Sequence, residues 1–200
     1  MPDSKPHISD LNLIRAAVLS AGKIALKGFH AGKIDVWDKE KNHPVTQTDI
    51  EVNDHLHQVL TEARPDYGWL SEETKDDESR HDCLRTFVVD PIDGTRAFID
   101  RQPNFAISVA VIEKGEAIVA ALYNPLKDEL YTAHKGGGAF LNETSISVSS
   151  CQQIKDCNMI GYPRKFRRLG WPDMNVSVVN SMAYRICLVA SGQVLSLIHI

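Results

Sequence analysis

Apolar residues recur at Leu11, Ile14, Val18, Ala21, Ala25 and Phe29, three or four positions apart. That period predicts an amphipathic helix from Ser9 to Phe29, with Ser9 as N-cap. A short strand is expected over Lys33–Trp37, broken by His43-Pro44. Thr48-Asp49-Ile50-Glu51 has the S/T-x-x-E form of a capping box and predicts a second helix through Val52, Leu56, Val59 and Leu60, ended by Arg64-Pro65-Asp66. Tyr67–Leu70 is strand-like. Thr86–Asp90 is a β-branched apolar run that predicts a buried strand, stopped by Pro91. Phe105–Ile112, Ala117–Tyr123 and Glu129–Ala133 follow as successive strands, with turns at Lys114-Gly115 and Asn124-Pro125. Gly136-Gly137-Gly138 is a turn before Ala139–Asn142. Beyond Cys151 the pattern weakens to a strand at Val176–Val179 and a helix over Ser181–Ser191 closed by Gly192. Helices followed by a run of strands predict layered α/β structure in one domain spanning 1–200, with no internal repeat.

Composition changes this picture little. The 200 residues are 43% hydrophobic and 24% charged, which excludes collagen-like and wholly disordered chains. A net charge of −4 gives no global case for nucleic acid or anionic membrane as partner. No stretch approaches the ~20 apolar residues of a membrane span, and the first ten residues lack the apolar core of a secretory signal. Cys83, Cys151, Cys157 and Cys187 fit neither a redox pair nor a zinc knuckle. Reduced thiols in a cytoplasmic protein are the expectation.

The chemistry concentrates in Asp90-Pro91-Ile92-Asp93-Gly94-Thr95. Asp90 ends a buried strand, and Asp93 follows one short turn later, so both carboxylates can enter the same space. Arg96-Ala97-Phe98-Ile99 can start a helix whose free N–H groups would bind an anion. Two carboxylates so close repel in a partly dry site, so either one keeps its proton or a cation neutralises both. Oxygen donors without histidine or cysteine favour Mg²⁺ over zinc. The competing interpretation is that the two acids only end a strand and cap a helix.

Several blocks carry a family likeness. Pro44-Val45-Thr46-Gln47-Thr48-Asp49, Trp69-Leu70-Ser71-Glu72-Glu73-Thr74 and Asp90 through Phe98 occur in order. Gly136 to Asn142 and Cys187-Leu188-Val189-Ala190-Ser191-Gly192 follow them. With these the chain resembles the inositol monophosphatase family of Mg²⁺-dependent, Li⁺-sensitive phosphomonoesterases, over about residues 9–194. The resemblance implies an α-β-α-β-α sugar-phosphatase fold and hydrolysis of a small soluble phosphate ester by a metal-activated water. It implies Glu72, Asp90 and the Ile92 carbonyl as ligands of a first Mg²⁺. Asp90 would be shared with a second ion, also held by Asp93, and two or three ions are expected in all. Gly94 and Thr95 N–H groups would bind the phosphate, and Asp49 with the Thr95 hydroxyl would orient and deprotonate the water. Asp49 could instead only support its helix start, while Glu73 and the acids at 76–78 are expected to be solvated loop charges. His55 and His57 are expected at the surface.

The resemblance also calls for a W-D-x-A-A-G motif after the late helix, which would complete the second metal site, and the sequence does not contain it. Leu195 to Ile200 is unlike the family, so the expectation is a domain incomplete at the end of its second sheet, with an off-family tail at 195–200. An impaired fragment that binds metal or phosphate without normal turnover is therefore the alternative to an active enzyme. The blocks at 69–73 and 93–99 lean towards a bacterial 3′(2′),5′-bisphosphate nucleotidase rather than an inositol monophosphatase. Arg185 and the run Arg164-Lys165-Phe166-Arg167-Arg168 are candidates for a second phosphate, the run being otherwise a solvated loop. No nucleic-acid or membrane partner is expected, and a homodimer is left open.

Overall fold

The computed structural model describes residues 5–40 and 43–197. Helix α1 (Lys5–His30) precedes strands β1 (Val36–Glu40) and β2 (His43–Thr46), which pair antiparallel. His43-Pro44 thus opens a strand instead of ending one. Ser9 lies inside α1, where its hydroxyl accepts from Arg64 Nη2 at 2.9 Å. Helix α2 (Gln47–Ala63) is capped by Thr46, not by Thr48. Asp49 N–H donates to Thr46 Oγ1, and Thr46 N–H donates back to the Asp49 carboxylate at 2.9 Å.

The main sheet holds β3 (Gly68–Ser71), β4 (Arg85–Asp93), β5 (Ala106–Glu113), β6 (Glu116–Asn124), β7 (Glu129–His134), β8 (Gly138–Leu141) and β9 (Thr144–Ser145), in that spatial order. β3 and β4 run parallel, and every other neighbouring pair is antiparallel. Alternation along the strands builds two cores. Phe87, Val89, Ile107, Val109 and Val111 face α1 and α2, while Ala106, Leu122 and Tyr131 face the opposite way. Gly28 permits the α1–α2 approach: a Cβ there would lie 2.1 Å from Thr48 Oγ1.

A smaller parallel sheet, ordered β11 (Asn175–Ser177), β10 (Asn158–Ile160), β12 (Ser196–Leu197), lies beyond helix α5 (Met182–Ala190). Ile160 packs with Tyr184 and Leu188 of α5. Met159, on the other face, packs with Phe166 of helix α4 (Pro163–Arg168). The basic run is therefore a short helix rather than a loop. The expected layer order, helices, sheet, helix, sheet, helix, is present, with the last layer only six residues long. Of the stretch 195–200, Ser196 and Leu197 form β12, and 198–200 lie outside the described residues. Among the described residues no helix is long and apolar enough to cross a membrane, and all four cysteines are free.

Candidate active site

The carboxyl ends of β3 and β4 lie side by side, because the parallel register pairs Ser71 with Val89. The next residue on each strand is an acid, Glu72 and Asp90. Parallel strands place such ends in one crevice, where α/β folds commonly bind ligands.

Pro91 does not stop β4. The strand continues to Asp93 through a bulge: Asp90 pairs with Ser108 and Asp93 with Ala106, three steps on β4 against two on β5. The extra residue reverses the alternation, so Phe87 and Val89 share one core with Ile92. Residues three apart on a regular strand face opposite ways. With one residue inserted, Asp90 and Asp93 come to the same face. The bulge, and not a turn, unites the two acids. Gly94 follows at φ 99, in the left-handed region, and opens helix α3 (Thr95–Ile99). A Cβ on Gly94 would meet Asn104 O at 3.0 Å and Ser181 N at 3.1 Å, so the position is closed to larger residues.

Thr95 ties three segments together. Its hydroxyl lies 3.2 Å from Asp49 Oδ1 and 3.1 Å from the Ile92 carbonyl oxygen. Asp49 itself is fully buried. Burial raises its carboxyl from 3.8 to about 6 against the opposing pull of the Thr46 and Thr95 hydrogen bonds, with Glu73 adding a smaller upward push. Asp90 is held well above the carboxylate range, first by burial and then by the charges of Glu72, Asp93 and Asp49. Its Oδ1 is buried without a hydrogen-bond partner.

Asp93 is engaged differently. Its carboxylate accepts from Ser181 Oγ at 2.6 Å and from the N–H groups of Met182 (3.1 Å) and Ala183 (2.6 Å), at the start of α5. Among the described residues no three carboxylate, imidazole or thiol side chains form a ready metal cage. The donors nonetheless suit a hard divalent cation: they are all oxygens, they are mutually repulsive, and one buried oxygen is unsatisfied.

Arg185 is buried, and its Nε donates to the Val179 carbonyl. His57 is exposed and stands edge-on to Trp69, whereas His55 is half-buried, 2.7 Å from Ser20 Oγ. Cys187 is no nucleophile, because burial, Asp93 and Glu129 push its thiol up to about 12. Four contributors escaped the sequence reading. Glu73 is not a solvated loop charge: one of its carboxylate oxygens is buried, and it acts on Asp49. Thr46 donates its hydroxyl to Asp49 at 2.5 Å. Ser71 and Asn53 anchor the Glu72-Glu73 turn to α2, through a 2.7 Å Ser71–Asn53 bond and a Glu73 N–H bond to Ser71 Oγ. The T-D pair at 48–49 drew attention to the wrong threonine, although Thr46 also has an acid three positions later.

The fold and this crevice define a layered α/β protein with converging carboxylates at the ends of two parallel strands. The profile of the inositol monophosphatase family matches residues 10–200. The chain belongs to that family. It is 39% identical over 147 residues to an inositol-1-monophosphatase of Rhizobium meliloti, covering 73% of this chain and 55% of that protein. It is 30% identical over 197 residues to the Nus factor SuhB of Haemophilus influenzae, covering 92% and 73% respectively. The crystal structure of the extragenic suppressor protein SuhB of Bartonella henselae superposes with a TM-score of 0.85 at 28% identity, over 93% of this chain and 76% of that one. The chain spans little more than half the length of the Rhizobium meliloti relative.

Proposed function

We propose that the protein is a Mg²⁺-dependent phosphomonoesterase acting on a small soluble ester, in the cytoplasm. One observation carries the reading: a buried, unsatisfied Asp90 oxygen surrounded by the charges of Glu72, Asp93 and Asp49. A divalent cation removes that repulsion more completely than a shared proton does. Glu72, Asp90 and the Ile92 carbonyl would hold a first ion, and Asp90 with Asp93 a second. Bound there, Mg²⁺ would offset phosphate charge and make a water hydroxide-like at neutral pH.

The remaining work falls to the chain itself. The N–H groups of Gly94 and Thr95 would hold the ester phosphate at the start of α3. Asp49, with its carboxyl near 6, is suited to accept a proton close to neutral pH. The Thr95 hydroxyl lies between Asp49 and the Ile92 carbonyl and shares its single proton between these two acceptors, which keeps base and ligand at a set separation. As substrate, an inositol monophosphate or similar polyol phosphate fits the names its relatives carry better than a bisphosphate nucleotide. The Arg185 engagement with Val179 also weakens the case for a second phosphate there. A second reading, metal or phosphate binding without normal turnover, draws on the Asp93 carboxylate being taken up by α5.

Phosphate release from inositol 1-phosphate and adenosine 3′,5′-bisphosphate, with Mg²⁺ and with or without Li⁺, tests the proposal. Mg²⁺-dependent, Li⁺-inhibited release that Asp93→Asn abolishes is expected. Release unchanged in Asp93→Asn would mean the acids have been given the wrong role. Metal binding without release would favour the second reading.

A further inference from the structure

The Asp93 carboxylate, like that of Asp49, is already surrounded by donors. An ionised carboxylate offers about four lone-pair directions. Three are filled, by Ser181 Oγ, Met182 N–H and Ala183 N–H. Oδ2 takes two of these bonds and Oδ1 one, which leaves a single direction open, on Oδ1.

Ser181 organises this arrangement. It is fully buried. Its hydroxyl donates to Asp93 and accepts from Tyr184 N–H at 3.0 Å, so one oxygen caps α5 and orients the acid. Its own N–H donates to the Asn104 carbonyl at 3.3 Å, and its backbone lies against Gly94. Every polar group of Ser181 is thereby committed, and the first turn of α5 is locked to the bulge of β4.

Resting on the phosphatase reading, we propose that Ser181 is a positioning residue: its hydroxyl holds the Asp93 carboxylate with one lone pair free for a divalent cation, while the same oxygen caps α5. Without the hydroxyl, the carboxylate keeps only main-chain donors and can rotate about its terminal torsion, which is broad for aspartate. Groups that orient a ligand in this way typically change metal affinity by ten- to a hundredfold.

The test uses the whole chain and Mg²⁺ itself, by titration calorimetry, with thermal midpoints measured in the absence of the ion. Ser181→Ala and Ser181→Gly both lack the hydroxyl, but glycine is tolerated as an N-cap and alanine is not. Positioning predicts that both weaken Mg²⁺ binding on the order of tenfold, although only the alanine variant loses much thermal stability. Ser181→Thr, which keeps the hydroxyl, should restore both properties. Should Mg²⁺ affinity instead follow the thermal midpoint, lost in alanine and kept in glycine, Ser181 is only a helix cap and the proposal fails. An unaltered affinity in both variants also overturns it. A parent chain that binds no Mg²⁺ removes the phosphatase reading as well, which separates the two failures.

Discussion

The carboxyl of Asp49 makes stability depend on pH in a direction opposite to that of an ordinary ion-paired acid. Its folded-state value is about 6 against 3.8 for the free group. A raised carboxyl binds its proton more tightly in the folded state, so its contribution is harmless below pH 3.8. The cost grows as pH rises through 6 and is constant above it. Two units at about 1.4 kcal/mol each amount to about 3 kcal/mol lost by pH 7. For a chain of this size that is a fall of roughly 6–12 °C in the unfolding midpoint. Other carboxylates titrate too, so the quantity to measure is a difference. Asp49→Asn removes the titration while keeping the shape. The midpoint of Asp49→Asn minus that of the parent, followed by tryptophan fluorescence from pH 4 to 8 without divalent ions, should climb along a curve centred between 4 and 6. Mg²⁺ held at a fixed concentration, a hundred times its dissociation constant at pH 8, adds about 2.7 kcal/mol there, and it should raise the parent's midpoint less at pH 5. A difference curve that is flat, or that falls with pH, would refute the claim that the site buries an uncompensated acid.

Two further predictions concern the scaffold. Asp10, almost fully buried, accepts from Arg64 Nε at 2.9 Å, Arg85 Nη1 at 2.9 Å and Tyr67 OH at 2.8 Å, joining α1 to the C-cap of α2, the turn before β3, and β4. Asp10→Asn should cost about 3 kcal/mol in urea unfolding, since it leaves two guanidinium groups without their shared anion; a loss below about 1 kcal/mol would mean that solvent already screens the pairs. Gly28→Ala drives a methyl into the Thr48 side chain and should cost about 1–3 kcal/mol. Adding Thr48→Ala should recover most of that cost, and strict additivity of the two changes would show that the contact is not the cause.

Local sequence decided the elements whose pattern exceeds one turn or one strand pair. The three-and-four spacing from Leu11 to Phe29 gave α1, and the continuous apolar, β-branched runs between Thr86 and Ala133 gave β4 to β7, because a helix buried on one face selects apolar residues at its own period and a strand buried on both faces selects an unbroken run. The string Asp90 to Thr95 likewise announced two acids, a glycine and a helix start without any coordinates. What the string did not reveal is how the acids share a face. That depends on β5 pairing two steps against three, through contacts between residues 18 positions apart (Asp90 and Ser108) and 13 positions apart (Asp93 and Ala106). The cap of α2 was ambiguous for a similar reason: Thr46 and Thr48 each precede an acid by three residues, and the choice followed from β2 ending at Thr46. A strand was expected at Val176–Val179 and β11 lies at Asn175–Ser177, whereas the three-residue β10 is too short to show a period, and only packing between α5 and Phe166 makes a sheet of them. The partnership of Asp93 with Ser181 spans 88 positions. Local sequence carries the chemistry of each residue, but the tertiary fold fixes which lone pair meets which donor.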